Sequence, residues 1–322
     1  MASQNRTYLL PQDGHLYKTN LHCHSLVSDG KFSPAELKRM YMERGYSAIA
    51  YTDHQICVPH PELTDESFVA LTGVEIAFGI KQATSVHICG IARDPMAQVE
   101  IPNEVMDDMD RINAGIQRLN RLNFITTLNH PRWSGMSAAD ITAIGEVANF
   151  EVLNGYEQVQ DGYGDSSGIF ELELRRGRRA CPLATDDSHT MASDKAPGYE
   201  YFQGFTMVKA PELSYGALIN ALDTHAYFAS SGPIFKNLWL ENGILHIECS
   251  PVRGVYIHGQ RYSHRLAVIQ ETDCLEILDI PLEDIFADSS YFFVQLVDSS
   301  RKRAWSCPYW SDPAVKGENN LV

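Results

Sequence analysis

Where the histidines fall is the strongest constraint that this sequence places on its fold. Six of the twelve, His22, His24, His54, His87, His130 and His189, lie in or just after short apolar runs, and all precede residue 190. The runs at Tyr17 to His24, Ala48 to Thr52, Phe68 to Gly73, Phe124 to Leu128 and Phe150 to Leu153 have strand length. Helical patterns at Pro34 to Arg44 and Ile101 to Leu122 fall between them. Alternating strands and helices predict an α/β architecture in which residues at the C-terminal strand ends collect at one mouth. Ser33-Pro34-Ala35-Glu36 supplies a capping box with proline in the first turn, Gly45 a stop, and Ser137-Ala138-Ala139-Asp140 a second helix start.

The rhythm changes after Gly232. Leu238 to Leu240, Ile244 to Cys249, Gly254 to His258, Leu266 to Ile269 and Tyr291 to Val297 are short β-like runs, and Asn242-Gly243 is a hairpin signal. A boundary near Ser230-Ser231-Gly232-Pro233 therefore divides an α/β domain, residues 1–232, from a small antiparallel β domain, residues 233–322.

The mouth-facing residues are metal-binding types. On a strand, His22 and His24 share one face and Cys23 takes the other, so the pair can grip one cation, with Asp29 arriving from the next turn as an oxygen ligand. Alone, this pair is equally compatible with hydrogen-bonded core imidazoles. Thr52-Asp53-His54 ends a strand, where Asp53 is read as an orienting or turn-capping residue rather than a ligand. Glu75 can bridge two cations, His87 can cap one, and Asn129-His130-Pro131 and Asp187-Ser188-His189 complete the set. Taken singly, Glu75 and His87 also read as a strand-end charge and a core imidazole; the recurrence of the pattern decides for metal. Mixed imidazole and carboxylate donors suit Zn²⁺, Mn²⁺ or Fe²⁺.

Composition narrows the partners. A net charge of −15 argues against a general nucleic-acid or anionic-membrane binder, although a local basic groove is compatible with it. No window approaches the length of an apolar membrane span, and the polar N-terminus leads into no apolar leader. Seven scattered cysteines without a C-x-x-C pair suit reduced thiols and a cytoplasmic setting.

Taken in order, His22-Cys23-His24 with Ser28-Asp29-Gly30, Thr52-Asp53-His54, Glu75 with His87 and His130-Pro131, and Asp187-Ser188-His189 resemble the motifs of the polymerase and histidinol phosphatase (PHP) family. The resemblance covers residues 15 to 232 and implies a distorted seven-stranded (β/α) barrel, with the C-terminal part similar to the β-sandwich appendage of stand-alone members. It implies two or three divalent ions: one on His22, His24, Glu75 and Asp187, one on Glu75, His87 and His130, and one on Asp29, His54 and His189. Asp29, Glu75 and His189 are the expected catalytic residues. The implied reaction is hydrolysis of a small phosphorylated metabolite or nucleotide by a metal-activated hydroxide, with Arg93 and Arg132 as candidate substrate clamps. A carboxylic ester or carbamate hydrolase and a non-catalytic metal-binding scaffold are the competing readings. Oligomeric state is not legible.

Overall fold

The computed structural model describes residues 6–80, 84–101, 109–189, 199–261, 263–282 and 289–311. Its first part comprises β1 (Arg6–Leu10), β2 (His15–Asn20), α1 (Pro34–Met42), β3 (Ala48–Tyr51), β4 (Ile56–Cys57), β5 (Val69–Ile80), β6 (Thr84–Ala92), β7 (Val99–Glu100), α2 (Met109–Arg121) and β8 (Phe124–Leu128). Then follow α3 (Ala138–Ala143), β9 (Asn149–Asn154), α4 (Gly155–Gln160), α5 (Ser167–Arg175), β10 (Cys181–Thr185), β11 (Phe205–Ala210), α6 (Tyr215–Asp223) and β12 (Tyr227–Ser230). The remainder is all strand: β13 (Phe235–Glu241), β14 (Ile244–Val252), β15 (Gly254–Gly259), β16 (Arg265–Ile269), β17 (Leu275–Pro281), β18 (Tyr291–Val297), β19 (Arg303–Ser306) and β20 (Tyr309–Trp310).

The architecture is mixed α/β, built on one large sheet with few helices. Within it, β2, β3, β5, β6, β8, β9 and β10 are successive neighbours. The two ends of this run meet, because a bridge joins Cys23, past β2, to Ser188, past β10. Asp187 N donates to His22 O at 3.0 Å and His24 N to Ser188 O at 3.2 Å, so the junction itself carries four expected site residues or their neighbours.

The strand directions depart from a regular β/α alternation. β2, β3 and β5 are parallel, as are β8, β9 and β10, but β6 runs antiparallel to both β5 and β8. The local cause is legible in the residues. Beyond Gly73 the chain continues as Val74-Glu75-Ile76-Ala77-Phe78, with Val74, Ile76 and Phe78 buried, so the strand runs through Glu75 and turns back as a hairpin. Glu75 and His87 are thus mid-strand rather than strand-end residues. The expected strand at Tyr17 to His24 also stops early, at Asn20.

Local signals were realised closely. Ser33 and Glu36 form the capping box of α1, and Ser137 and Asp140 that of α3. Gly45 follows α1 with φ +77°, in the left-handed region. Of the long helix expected at Ile101 to Leu122, the structure shows α2; residues 102–108 lie outside the described residues. Asn242 and Gly243 have φ 50° and 76°, as a tight hairpin turn between β13 and β14 requires.

The C-terminal strands form two layers. β1, β13, β14 and β17 make one sheet, while β15, β16, β18, β19 and β20 extend the large sheet beyond β12. Leu245, Ile247 and Cys249 from the first meet Val255, Ile257, Val294 and Leu296 from the second in one buried apolar cluster. Alternation along β14 explains the packing, since Leu245, Ile247 and Cys249 are buried and His246 and Glu248 are not. β1 precedes the α/β part in sequence but pairs with β13 beyond residue 232.

Candidate metal centre

Every sequence-predicted ligand comes to one place. Three groups, His22 with His24, Glu75 and Asp187; Glu75 with His87 and His130; and His24 with Asp29, His54 and His189, each present donor atoms within 4.8 Å of one another. Glu75 belongs to two groups, and so does His24. The grouping differs from the expectation only in that His24 also faces the Asp29, His54 and His189 set.

The distances are those of donors aimed at a common centre. Asp187 Oδ1 is 3.0 Å from Nε2 of both His22 and His24. Glu75 Oε2 lies 3.2 Å from His24 Nε2 and 3.2 Å from His54 Nδ1, and Glu75 Oε1 lies 3.2 Å from His87 Nδ1. Tetrahedral donors about 2.0–2.2 Å from a cation stand about 3–4 Å from each other, so this spacing fits. Four central atoms, His24 Nδ1, His54 Nδ1, Glu75 Oε2 and Asp187 Oδ1, are buried without a hydrogen-bond partner. Buried polar atoms left so are costly, and a cation is the partner this donor set suits.

Buried neighbours fix the ring orientations. His22 Nδ1 is 3.0 Å from Glu151 Oε1, so it carries the proton and turns its Nε2 lone pair inward. The other Glu151 oxygen accepts from His130 N at 2.7 Å and Asn154 Nδ2 at 2.9 Å, and Thr185 Oγ1 also bonds the carboxylate. Ser85 Oγ is 2.9 Å from His87 Nε2, and Ser134 Oγ is 3.2 Å from His130 Nδ1. His189 Nδ1 donates to the Asp187 carbonyl at 2.8 Å, leaving Nε2 toward Asp29 at 3.7 Å. Asn129 Nδ2 donates to Glu75 Oε1 at 2.6 Å, and Asn154 Nδ2 to Asp187 Oδ2 at 3.0 Å.

Asp53 acts as a turn anchor. Its carboxylate accepts from Ser25 N and Oγ, both at 2.8 Å, and from Ser28 N and Oγ at 3.2 and 2.8 Å, which shapes the loop that delivers Asp29. Gly30 closes that loop against the chain: a Cβ there would lie 2.2 Å from His24 O. His130 (φ 24°) and Asp187 (φ 51°) are held in left-handed backbone that non-glycine residues rarely adopt, a strain that clusters at functional sites.

The electrostatics tie imidazoles to carboxylates. Burial would raise the Glu75 carboxyl, but His22, His87 and His54 outweigh it and hold it well below its ordinary range. Burial likewise opposes charge on His24, yet Asp187 and Glu75 push it up to about 9. His54, with burial first and His24 beside it, falls to about 4 despite Glu75. Burial also opposes charge on His22 and His130, yet the neighbouring carboxylates raise both above the ordinary imidazole range, so a cation at this centre would compete with protons.

Two expected residues lie away from the cluster. Arg93 follows β6, and because β6 is antiparallel its end points to the opposite rim, about 20 Å of strand from His87. There its Nε and Nη2 grip Asp223 at 2.9 and 2.6 Å, so the structure removes Arg93 from the site. Arg132 stays near but turns aside: its Nη1 donates to Asp165 O at 3.3 Å and its guanidinium lies 5.2 Å from the Tyr163 ring centre. Sequence reasoning missed Glu151, Asn129 and Ser134, and the aromatics that flank the imidazoles. Trp133 packs on His130 at 4.8 Å between ring centres and Tyr156 on His189 at 4.9 Å. A charge inside the apolar run Phe150-Glu151-Val152-Leu153 was the available signal for Glu151.

Solved structures similar to this chain include PHP-like metal-dependent phosphoesterases. A two-domain protein from Bacteroides vulgatus, containing a predicted PHP-like metal-dependent phosphoesterase, aligns over 96% of this chain and 99% of its own at 14% identity and a TM-score of 0.49. A proposed metal-dependent phosphoesterase from Bifidobacterium adolescentis aligns over 59% of this chain and 93% of its own at 13% identity and a TM-score of 0.38. An amidohydrolase from Chromobacterium violaceum aligns over 64% and 96% at 15% identity and a TM-score of 0.39. In sequence, a 5′-3′ exoribonuclease from Haemophilus influenzae is 33% identical over 84 residues, which span 24% of this chain and 29% of that protein. No protein-family model matches the chain.

Proposed function

We propose that this chain is a PHP-type phosphoesterase, which hydrolyses a small phosphorylated metabolite or nucleotide with two or three divalent ions held by the nine clustered residues. The observation that carries the reading is the sharing of Glu75 and His24 among three adjoining donor groups, four of whose buried atoms have no hydrogen-bond partner. The seven-strand run with joined ends is read as a distorted β/α barrel within residues 1–232, and the C-terminal strands of residues 233–322, whose first layer is joined by β1, as its β appendage. Among the described residues no helix is long and apolar enough to cross a membrane. All seven cysteines are free, which supports a reducing, cytoplasmic setting.

When bound, the ions would acidify water and stabilise charge on a phosphoester. The chain's own residues prepare that chemistry. Glu151 fixes the His22 tautomer, Ser85 and Ser134 fix the rings of His87 and His130, and Asn129 and Asn154 hold the carboxylates of Glu75 and Asp187. Asp29, whose side chain is 53% exposed, and His189 stand on the open side, where substrate would arrive.

The test is hydrolysis of p-nitrophenyl phosphate and bis-p-nitrophenyl phosphate by wild type and His22→Ala, with bound metal quantified in each. Activity is expected to follow bound metal and to vanish in His22→Ala. A fully metallated wild type inert on both esters would refute the phosphoester assignment and direct the search to carboxylic esters and carbamates.

A further inference from the structure

A second feature adjoins the cluster: a groove of about 340 Å³ between the loops after β8 and β9 and the turn joining β18 to β19. In a chain of net charge −15, its walls carry Arg132, Arg301, Lys302 and Arg303 against one acid, Asp165. That acid is already engaged, since Arg303 Nη2 donates to it at 2.6 Å and Ser167 Oγ at 2.6 Å. Arg132 spends one donor on the Asp165 backbone carbonyl. Among the described residues no ion pair joins the Arg301 guanidinium or the Lys302 ammonium to a carboxylate, Asp298 being bonded to Lys302 N, so four cations against Asp165 and Asp298 leave a surplus of positive charge.

The cations are presented on a braced turn. Asp298 N donates to Lys302 O at 3.0 Å and Lys302 N to Asp298 Oδ1 at 2.8 Å, while Ser299 N and Oγ hold Asp273 at 2.8 and 2.6 Å. The groove is linked to the donor cluster through the loop after β8 and through α4. Arg132 is two residues from His130. Gln158, in the lining, belongs to α4, whose N-cap Asn154 bonds Asp187 and whose Tyr156 packs on His189.

We infer that this groove is a second anion subsite, holding a phosphoryl group of the substrate remote from the bond that is cleaved. The substrate then carries two phosphoryl groups, one at the metal cluster and one between Arg301 and Lys302, where fork and point donors match phosphate oxygens. The inference rests on the phosphoesterase reading for the group that is cleaved, but not for the existence of the anion site. The C-terminal strands gain a role by it, since the turn between β18 and β19 and the start of β19 set Arg301, Lys302 and Arg303 beside Arg132 and Asp165 of the α/β part.

The test separates the two claims. Inorganic tripolyphosphate is titrated calorimetrically into metal-stripped protein at low ionic strength, where charge attraction is least screened. Wild type and His22→Ala are expected to bind it, R301A/K302A at least about tenfold more weakly, and R301K/K302R within about threefold of wild type, tenfold being the loss of one charge-assisted contact. No binding by wild type, or equal binding by R301A/K302A, overturns the subsite. With metal-loaded protein, the p-nitrophenyl ester of thymidine 5′-phosphate bearing a 3′-phosphate is expected to show a KM at least about tenfold below that of its 3′-hydroxyl counterpart, a difference lost in R301A/K302A. Equal KM values overturn the assignment to a second substrate phosphate. Failure to cleave either ester by a protein that still binds tripolyphosphate through these residues would refute the phosphoesterase reading and leave the anion site in place.

Discussion

The inner and outer halves of the donor cluster are built differently. His22, His24, Glu75 and Asp187 are fully or almost fully buried, and each is braced by the backbone junction of β2 and β10 or by a buried partner such as Glu151 or Asn129. In the outer group Asp29 has a side chain 53% exposed, His54 23% and His189 16%, and Asp29 comes from a turn held by Asp53. Preorganised donors surrendered their freedom on folding, whereas exposed ones must give it up on binding. The difference teaches that the inner ions should be integral and the outer one exchangeable.

Glu75 gives the largest expected effect, because it alone serves the inner group and the group with His87 and His130. Glu75→Gln should abolish tight binding at both of these groups and lower kcat/KM by about 10³-fold or more, the loss of several kcal/mol of transition-state stabilisation. Retention of both ions, read by elemental analysis, would break the comparison. Glu151→Gln comes next. It leaves every donor in place but unsettles the His22 tautomer and the His130 backbone, so metal affinity or activity should fall about 10–100-fold. An unchanged affinity would show that Glu151 only fills space.

Asp29→Asn should have the smallest effect. It should weaken one ion of the set while the inner ions stay bound, and the activity lost should return on adding excess metal, as fits an exposed donor. A loss of all ions would mean that the outer group is as integral as the inner.

The sequence made the donors legible because histidines and carboxylates after short apolar runs are a chemical pattern, independent of strand direction. His22, His24, His54, His130, Asp187 and His189 all flank strands or bridges, as their local context indicated. Strand direction itself was less legible. The extra apolar residues after Glu75 look like a continued core run, and only pairing with β6 shows that the chain doubles back. That reversal also explains Arg93, whose few-residue separation from His87 suggested proximity but which the antiparallel strand carries to the far rim. Bracing residues such as Glu151 and Asn129 depend on neighbours distant in sequence, which local patterns do not encode, whereas Ser134 braces a histidine only four residues away.

The most direct test of the central claim is to strip wild-type protein of metal, reload it with Zn²⁺, Mn²⁺ or Fe²⁺, and count the ions retained after dialysis. The proposed function calls for at least two tightly held ions per chain, with a third lost or recovered as free metal is varied. Retention of one ion or none with every metal would contradict a shared Glu75 and the polynuclear centre built on it.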